Sequence, residues 1–581
     1  MNKRFLLVAL NAKYIHTNPA VHSLRTFSGV YKDNIELIEF TINNHLDDII
    51  IDIYKKQADF IGFSCYIWNI DMITKIVPEL RKLMPKVKIW FGGPEVSYDV
   101  RDCLNTHKGL DGIVIGEGEQ TFLELVKYYL GDLDSLGQID GIAYKKSALL
   151  DNEDWDYDKD KIQVTGQRQG LDLNDIPFMY DDLDQFDNKI IYYESSKGCP
   201  FSCTYCLSSV DRRIRLRDVE LVKRELKVFL DHEIPQVKFI DRTFNCNKDH
   251  AMEIWKFIKE NDNGISNFHF EISADLLTEE ELELLGELRP GQVQFEIGIQ
   301  STNSKTIKAI QRQMDLDKLA SNVERIREKR NIHQHLDLIA GLPYEDYDSF
   351  KKSFNDVYAM RPDQLQLGFL KVLKGSPIEE DSEKYGIVYQ DAPPYEVLFT
   401  NWISYDEIIK LKGITEMVEV YHNSDQFNYS IRFLEHEFES PFHMYEALDD
   451  YYKDKGLDKV NHSRNRRFEI LLDFYKERCQ GKDLKTFGEI LYLDLCLRDN
   501  VKALPDYAPE QLEYRHLRKA CESHEVNHRF AKVEKFSSDI RASAEEGKAV
   551  GEAQYIIFDY TTRDPLSNSA KLIVAEEADV I

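Results

Sequence analysis

Three cysteines within eight residues constrain this chain more than any other feature of its sequence. Cys199, Cys203 and Cys206 follow the pattern C-x3-C-x2-C, and Gly198 and Pro200 flank the first of them. A tight loop with this spacing turns three thiolates toward one centre, and thiolates are the usual ligands of iron–sulfur clusters and of zinc. A structural zinc site normally takes four protein ligands, but the sequence has no fourth Cys or His nearby. The spacing therefore favours a cluster with one iron left open for a substrate or cofactor.

Other interpretations of the cysteines stay open on the residues alone. They could be small buried side chains, ligands of a zinc site completed by the distant Cys246, or ligands of an electron-transfer cluster. Electron-transfer clusters usually fill all four ligand positions, and chance clustering of cysteines beside Gly and Pro is rare. We therefore prefer the cluster with an open iron.

The segment that carries the cysteines resembles the signature of the radical S-adenosylmethionine (SAM) superfamily. Residues 190–196 predict a strand directly before the cysteines, and the aromatic Tyr205 precedes the third of them. The resemblance implies a [4Fe–4S] cluster held by Cys199, Cys203 and Cys206, whose open iron binds the amino and carboxylate groups of SAM. It also implies reductive cleavage of SAM to methionine and a 5′-deoxyadenosyl radical.

Composition and charge exclude several classes of protein. Apolar residues make up 43% of the 581 residues, which is ordinary for a globular protein, and no apolar run approaches the length of a membrane span. The formal net charge of −28 disfavours a nucleic-acid backbone as the main partner, because neutralising phosphate needs a basic surface. The six remaining cysteines are scattered, unlike a disulfide framework. The apolar residues 1–10 run into Asn11 and Lys13 without a cleavage site, so we expect a buried first strand and a cytoplasmic protein.

Residues 1–140 alternate strand and helix patterns. Strands are predicted at 5–11, 35–41, 60–65, 87–91 and 112–115, with amphipathic helices such as 47–57 and 71–84 between them. Short apolar strands separated by helices predict a parallel sheet covered on both faces. The carboxyl ends of such strands form a ligand crevice.

Taken with the cysteine motif, this region resembles the cobalamin-binding domain that precedes many radical SAM cores. In that family, a Ser after the third strand and a Gly-Gly pair after the fourth line the pocket for the dimethylbenzimidazole tail, and Ser64, Gly92 and Gly93 match. The sequence lacks the D-x-H-x-x-G motif whose His ligates cobalt, although His16 lies in the equivalent loop. The resemblance implies cobalamin contacts from the strand-end loops: Asn11, Tyr14, His16, Ser64, Tyr66, Gly92, Gly93, Pro94 and Glu117.

Residues 190–375 repeat the strand and helix pattern. After the strand before the cysteines, further strands are predicted at 237–240, 268–272, 293–299, 336–339 and 365–369. We expect a partial (β/α)6 barrel with its chemistry at the carboxyl ends of the strands. Polar residues recur there, which favours a ligand site over isolated internal salt bridges. By resemblance to radical SAM cores, the expected SAM contacts are Tyr205, Asp241, Glu271, Ser273, Glu296, Gln300 and Leu342.

The predicted fold class is α/β, in four parts. A doubly wound, Rossmann-like cobalamin-binding sheet (1–140) and a connector (141–189) precede a TIM-type radical SAM core (190–375) and a mainly helical C-terminal domain (376–581). In the connector, residues 141–145 are predicted to pair with 163–164 across the acidic insert 151–160. Residues 554–559 and 570–574 predict a late hairpin. The last part resembles the tail of a cobalamin-dependent radical SAM subfamily of unknown function, and it either packs over the core or selects the substrate.

The lead hypothesis is a cobalamin-dependent radical SAM enzyme. The 5′-deoxyadenosyl radical would abstract hydrogen from an unactivated carbon, and methylcobalamin would deliver a methyl group to the resulting substrate radical. A second hypothesis keeps the cofactors but ends in rearrangement or cyclisation, and a third is a cluster or cobalamin sensor without turnover. The expected partners are an unidentified substrate and an electron donor such as flavodoxin or ferredoxin. The sequence assigns no catalytic residue beyond these cofactor contacts.

Overall fold

The computed structural model describes residues 3–146, 162–479 and 481–581, so the acidic insert predicted at 151–160 lies outside the described residues. The chain divides into two compact units that alternate along its length. The first unit comprises Met1–Leu285, Ile310–Met314 and Leu370–Leu398. The second comprises Gly286–Ala309, Asp315–Phe369 and Phe399–Ile581.

The amino-terminal part of the first unit is a sheet with helices between its strands. Its strands are β1 (Phe5–Asn11), β2 (Ile35–Thr41), β3 (Phe60–Ser64), β4 (Lys88–Gly92), β5 (Gly112–Val114), β6 (Ile142–Lys145) and β7 (Ile162–Val164). Its helices are α1 (Pro19–Phe27), α2 (Leu46–Lys56), α3 (Ile70–Leu83), α4 (Val100–Thr106) and α5 (Glu119–Leu130). Strands β1 to β5 pair in parallel, whereas β6 and β7 add antiparallel strands at one edge. The predicted pairing of residues 141–145 with 163–164 is confirmed, since Ala143 faces Val164.

The strand order creates a crevice beyond the carboxyl ends of the strands. Every residue of β1 is buried, as expected for a central parallel strand covered on both faces. In the order β2-β1-β3-β4-β5, the next two strands along the chain, β2 and β3, lie on opposite sides of β1. Helices that follow strands on either side of such a switch point cover opposite faces of the sheet, which leaves an opening at the strand ends.

The rest of the amino-terminal half forms a second set of strands in the first unit. The elements are β8 (Ile191–Tyr193), β9 (Ser196–Lys197), β10 (Arg215–Leu216), β11 (Gln236–Phe239) and β12 (Asn267–Ile272), with α6 (Val219–Asp231), α7 (Lys248–Glu260) and α8 (Glu279–Gly286). Strands β8, β11 and β12 are parallel, with β11 between the other two. Strands β9 and β10 form a short antiparallel hairpin, and all three motif cysteines lie in its loop.

The second unit begins with three parallel strands. It contains β13 (Val293–Gln300), β14 (Ile332–Ala340) and β15 (Gln364–Phe369), with α9 (Ser304–Ala309), α10 (Leu316–Lys329) and α11 (Tyr347–Tyr358). The chain then passes through the last segment of the first unit, which contains α12 (Pro377–Glu380) and β16 (Val388–Tyr389), and through β17 (Val397–Phe399). The alternation of strands and helices predicted for residues 190–375 is thereby confirmed.

The remainder of the second unit is mainly helical, as predicted. Its helices are α13 (Tyr405–Val418), α14 (Asn428–Glu435), α15 (Pro441–Asp454), α16 (Arg464–Arg478), α17 (Leu484–Arg498), α18 (Tyr514–Ser523), α19 (Ile540–Glu546) and α20 (Glu577–Val580). Strands β19 (Gln554–Arg563) and β20 (Ala570–Ala575) form the predicted hairpin, and β18 (Ala531–Phe536), which the sequence analysis missed, pairs antiparallel with β19. No helix among the described residues is both long and apolar enough to cross a membrane.

A buried ion pair ties α3 to the sheet of the first unit. The Arg81 guanidinium lies 2.6 Å from the Asp111 carboxylate, and the two side chains are 9% and 0% exposed. Arg81 also donates to the carbonyl oxygens of Gly109 and Val87, and Asp111 accepts from the amide of Ile89 in β4. Burial raises the pKa of Asp111 in spite of the neighbouring cation. The carboxylate therefore depends on Arg81 to stay charged inside the protein.

Replacing Arg81 with Met should destabilise this sheet by about 3–5 kcal/mol, because the variant leaves a buried carboxylate without its partner. Hydrogen exchange of the β4 amides, read by mass spectrometry, measures the change. Lys82→Met is the matched control, since Lys82 is 69% exposed and forms a surface ion pair with Glu79. We expect the control to change the stability by less than about 1 kcal/mol. Equal effects of the two substitutions would contradict a buried anchoring pair.

Candidate functional site

The β9–β10 hairpin holds the cysteine loop at the carboxyl end of β8. Gly198 begins the loop with φ +91°, and a Cβ atom there would lie 2.2 Å from the carbonyl oxygen of Arg213, so only Gly fits. The amide of Cys199 donates to the carbonyl oxygen of Asp211 at 3.3 Å. The other side of the loop is also fixed, since the Thr204 amide donates to Ile310 at 2.9 Å. The loop backbone is therefore held from both sides.

A buried guanidinium that the sequence analysis missed lies beside the thiols. Arg312 Nη1 lies 3.9 Å from Cys203 Sγ and donates to the Tyr205 hydroxyl at 3.3 Å. Burial raises the pKa of the Cys203 thiol, whereas Arg312 acts in the opposite direction. The charges of Cys199 and Cys206 raise the pKa of Cys203 in the same direction as burial. Arg312 is therefore the group beside Cys203 that favours the thiolate that a cluster requires.

The part of the chain that the structure describes shows no site for a single metal ion. Among the described residues, no three Cys, His, Asp or Glu side chains are close enough together to hold one ion. The thiolates of a cubane bind separate iron atoms and need not converge on one point. Burial raises the pKa of Cys246 to about 11, and the charge of Cys199 acts in the same direction.

The predicted SAM contacts of the first unit include two groups with firm protein partners. Asp241 is fully buried, and its carboxylate accepts hydrogen bonds from the hydroxyls of Ser195 and Ser196 at 2.7 and 2.6 Å. The amide of Ser273 donates to Asn245 at 2.9 Å, and its hydroxyl donates to Asp275 at 2.6 Å. These contacts fix the strand ends that surround the cysteine loop. Tyr205 lies within that loop, and Glu271 lies on β12.

The other predicted SAM contacts, Glu296, Gln300 and Leu342, lie in the second unit. Gln300 ends β13 with φ +73°, where the register with β14 shifts, and its buried Oε1 has no hydrogen-bond partner among the described residues. Leu342 is fully buried just after β14. Ser301, the next residue after Gln300, donates to Glu345 at 2.6 Å, and burial raises the pKa of Glu345 to about 7. As SAM contacts, all seven residues stay predictions.

A cavity of about 400 Å³ opens at the switch point of the amino-terminal sheet. Its lining comes from the carboxyl ends of β3, β4 and β5 and from α1 and α5. Phe60, Trp90 and Phe122, which the sequence analysis did not single out, supply aromatic walls. The predicted residues that line it are Ser64, Tyr66, Gly92, Gly93, Pro94 and Glu117. An apolar, aromatic cavity with a few polar groups suits a flat ring system.

Three residues of the predicted set shape this cavity. Gly93 has φ +115°, and a Cβ atom there would lie 2.4 Å from the carbonyl oxygen of Cys65, so the chain turns tightly after β4. Ser64 is 8% exposed, and its hydroxyl accepts from the Asn18 amide at 3.3 Å. Tyr66 stacks on Trp68 with ring centroids 4.3 Å apart. Bare backbone and aromatic faces therefore form the entrance.

Three residues of the predicted cobalamin set do not line the cavity. Asn11 donates to the His16 carbonyl oxygen and to Glu39, which closes the loop after β1. His16 Nδ1 lies 2.6 Å from the Tyr192 hydroxyl of β8, and burial lowers its pKa. Tyr14 is 70% exposed. Their contacts are with the protein and solvent, and as cobalamin contacts they stay predictions.

Charged residues join the cavity rim to the cysteine hairpin. Lys197 of β9 lies 3.9 Å from Glu119, and Arg215 of β10 pairs with Glu117. Burial alone would raise the pKa of Glu117, but the hydrogen bond from Arg215 and the charges of Lys197 and Arg215 together lower it. Burial raises the pKa of Tyr98, a residue of the cavity wall, and the charge of Cys206 acts in the same direction. The cavity and the cysteines are therefore neighbours within one unit.

Comparison with protein families matches these two sites to known domains. The B12 binding domain matches residues 6–126, and the radical SAM superfamily matches residues 193–357. The chain joins a B12 binding domain to a radical SAM domain. Residues 383–574 match a family described as a protein of unknown function, DUF4080. These matches confirm the predicted fold class and the predicted cofactors: a [4Fe–4S] cluster, SAM and cobalamin.

Individual proteins similar to this chain are distant in sequence. A 2-(S-pantetheinyl)-carbapenam-3-carboxylate methyltransferase from Streptantibioticus cattleyicolor is 24% identical over 68% of this chain, and the match spans 62% of that relative. The solved structure of TsrM, a radical SAM methyltransferase from Kitasatospora setae, matches with a TM-score of 0.54 at 15% identity, over 68% of this chain and 79% of TsrM. The cobalamin-dependent radical enzyme OxsB matches with a TM-score of 0.57 at 14% identity, over 87% of this chain and 82% of OxsB. At these identities the structures support the shared fold.

The residues of both sites fit the cofactors of the matched domains. The cysteine loop offers three thiols beside a buried guanidinium, which suits a cubane with one open iron. The cavity offers aromatic walls and the bare backbone of Gly92, which suit a flat aromatic tail. Each site thus has the donor set or the shape that its cofactor needs.

Replacing any one of the three motif cysteines with Ala should remove the iron and sulfide of the reconstituted protein, because each thiolate binds a different iron. Cys246→Ala is the matched control and should keep them. Iron and sulfide analysis together with the charge-transfer absorbance provide the measurement. Loss of metal from the Cys246 variant would instead support the zinc or four-cysteine interpretation.

Replacing Gly92 with Val should weaken cobalamin binding at least tenfold, which corresponds to about 1.4 kcal/mol. A Cβ atom at Gly92 would meet Val114 at an ordinary 3.6 Å, so the fold should tolerate the change while the branched side chain enters the cavity. Equilibrium dialysis with cobalamin measures the affinity, and the melting temperature checks the fold. Gly92→Ala should give a smaller effect. Unchanged affinity in a folded Val variant would place cobalamin elsewhere.

Proposed function

We propose that this protein is a cobalamin-dependent radical SAM methyltransferase that transfers a methyl group to an unactivated carbon of its substrate. The B12 binding and radical SAM domains and the methyltransferases among its relatives support an enzyme of this kind. Because the first relative is matched over only 62% of its length, its substrate is not carried over. When bound, the cluster and SAM supply a carbon radical and cobalamin supplies the methyl group.

One observation carries the proposal: the cysteine hairpin and the cavity rim are joined by direct ion pairs. Lys197 and Arg215 flank the cysteine loop on its two strands and reach the rim carboxylates Glu119 and Glu117. A methyl group can pass to a short-lived radical only when donor and acceptor are held close together. The pairing of hairpin and rim provides that proximity.

The protein's own residues bind the cluster, neutralise part of its negative charge and shield the reaction from water. Cys199, Cys203 and Cys206 supply the thiolates, and Arg312 offsets part of their negative charge. The aromatic walls of the cavity exclude water, which protects a reactive radical from side reactions. These roles follow from the donor types and burial of the residues.

The charge balance between the two sites depends on Lys197. Burial alone would lower the pKa of Lys197, but the carboxylates of Glu194 and Glu119 raise it, so Lys197 stays charged. Burial raises the pKa of Glu194 to about 7, and the Lys197 ammonium lies 3.4 Å from that carboxylate. Lys197 thus holds two carboxylates, one from each site, that would otherwise repel each other.

Anaerobic incubation with SAM carrying a labelled methyl group tests the proposal. In the presence of cell extract as a substrate source, we expect 5′-deoxyadenosine, S-adenosylhomocysteine and label in a product bound through carbon. The Cys203→Ala variant is the control and should form none of them. Formation of 5′-deoxyadenosine without labelled product would favour a rearrangement or cyclisation. Failure to form either SAM product under strong reductant would favour a sensor without turnover.

A further inference from the structure

The loop that carries the cysteines also presents two arginines to solvent. Arg212 and Arg213 are exposed, and the Arg213 side chain retains 70% of its accessible surface. Exposed apolar residues flank them, since Val210 is 56% exposed and Ile214 is 36% exposed. A basic pair between two apolar side chains combines charge with contact area, as protein docking surfaces do.

The backbone ties these arginines to the cysteines. The carbonyl oxygen of Asp211 accepts from the amide of Cys199 at 3.3 Å, and the carbonyl oxygen of Arg213 packs directly on Gly198. Both arginines therefore lie next to the first cysteine while their side chains point to solvent. A partner seated on them would be brought close to the cluster.

The other arginines of the same segment are engaged inside the protein. Arg215 pairs with Glu117, and Arg217 pairs with Glu225 in a nearly buried site. Asp211 offsets part of the exposed charge, because its carboxylate lies 3.5 Å from Arg213 Nε. Arg212 and Arg213 are thus the members of this cluster whose charge faces solvent.

The charge of the whole chain makes this surface selective. A formal net charge of −28 repels acidic proteins over most approaches. A local basic surface gives such a partner a favoured orientation, because complementary charges steer diffusional encounter. Here the favoured orientation directs the partner to the cysteine loop.

We propose that the surface formed by Val210, Arg212, Arg213 and Ile214 docks an acidic one-electron carrier protein such as flavodoxin. The reduced carrier loses one electron and the cluster gains it, so the exchange balances without a further reactant. This inference rests on the cluster of the proposed function, and it adds the place where the electron enters.

The test is the rate at which reduced flavodoxin reduces the reconstituted, full-length protein, followed anaerobically by stopped-flow absorbance. The double variant Arg212→Glu and Arg213→Glu should be reduced about tenfold more slowly at low ionic strength, and the difference should shrink as salt is added. A matched control reverses Arg515 and Arg518, which are 73% and 56% exposed on α18 in the second unit, and should keep the original rate.

Reduction by dithionite separates docking from damage to the cluster. Equal cluster content and equal dithionite rates in the two double variants, with a slow flavodoxin reaction only for the Arg212 and Arg213 variant, would support the proposal. Equal flavodoxin rates in both would overturn it. A wild-type protein that binds no cluster would instead defeat the proposed function itself.

Discussion

The arrangement of the two candidate sites in the first unit, the cysteine loop and the cavity, depends on the ion pairs between the cysteine hairpin and the cavity rim. Glu119 is the first residue of α5, and Glu117 lies just before it, so both carboxylates also face the positive end of a helix. Arg215 and Glu117 are only 19% and 25% exposed. Hydrogen bonds to charged groups contribute about 1.5–3 kcal/mol when water is largely excluded. The same carboxylates therefore stabilise a helix and hold a cofactor loop.

Sequence patterns predicted the parts of this fold whose burial repeats along the chain. The bounds of β1 and β2 agree with prediction, because continuous apolar runs end at polar loops. Helix α17 has no amphipathic signature in the sequence, because all its residues from Thr486 to Leu497 are buried and it lacks the polar face that marks a surface helix. A helix that is buried on all sides gives a mostly apolar segment of sequence without a regular helical period.

Site residues were predictable where they belong to a local sequence motif. They were not predictable where folding brings together residues that are far apart in the sequence. Residue type and spacing are enough to identify the three cysteines and the pair Gly92 and Gly93 in the sequence. Arg312 lies 109 residues from Cys203 in sequence, and nothing in its neighbours marks it as a cluster contact. The cavity walls Phe60 and Trp90 are indistinguishable in sequence from core residues. Only the strand order brings them to the switch point.

Polar residues at strand ends serve two different purposes in this protein. Asp241 and Ser273 were predicted from the resemblance as ligand contacts, yet each is saturated by neighbouring protein groups. Asp241 helps to set the position of the cysteine loop, because its partners Ser195 and Ser196 lie directly before that loop. Gln300 differs, since its buried oxygen has no hydrogen-bond partner among the described residues. Leaving a buried acceptor without a hydrogen bond costs about 1–3 kcal/mol. Unlike Asp241, Gln300 is thus not explained by hydrogen bonds within the described protein, and its role as a SAM contact stays a prediction.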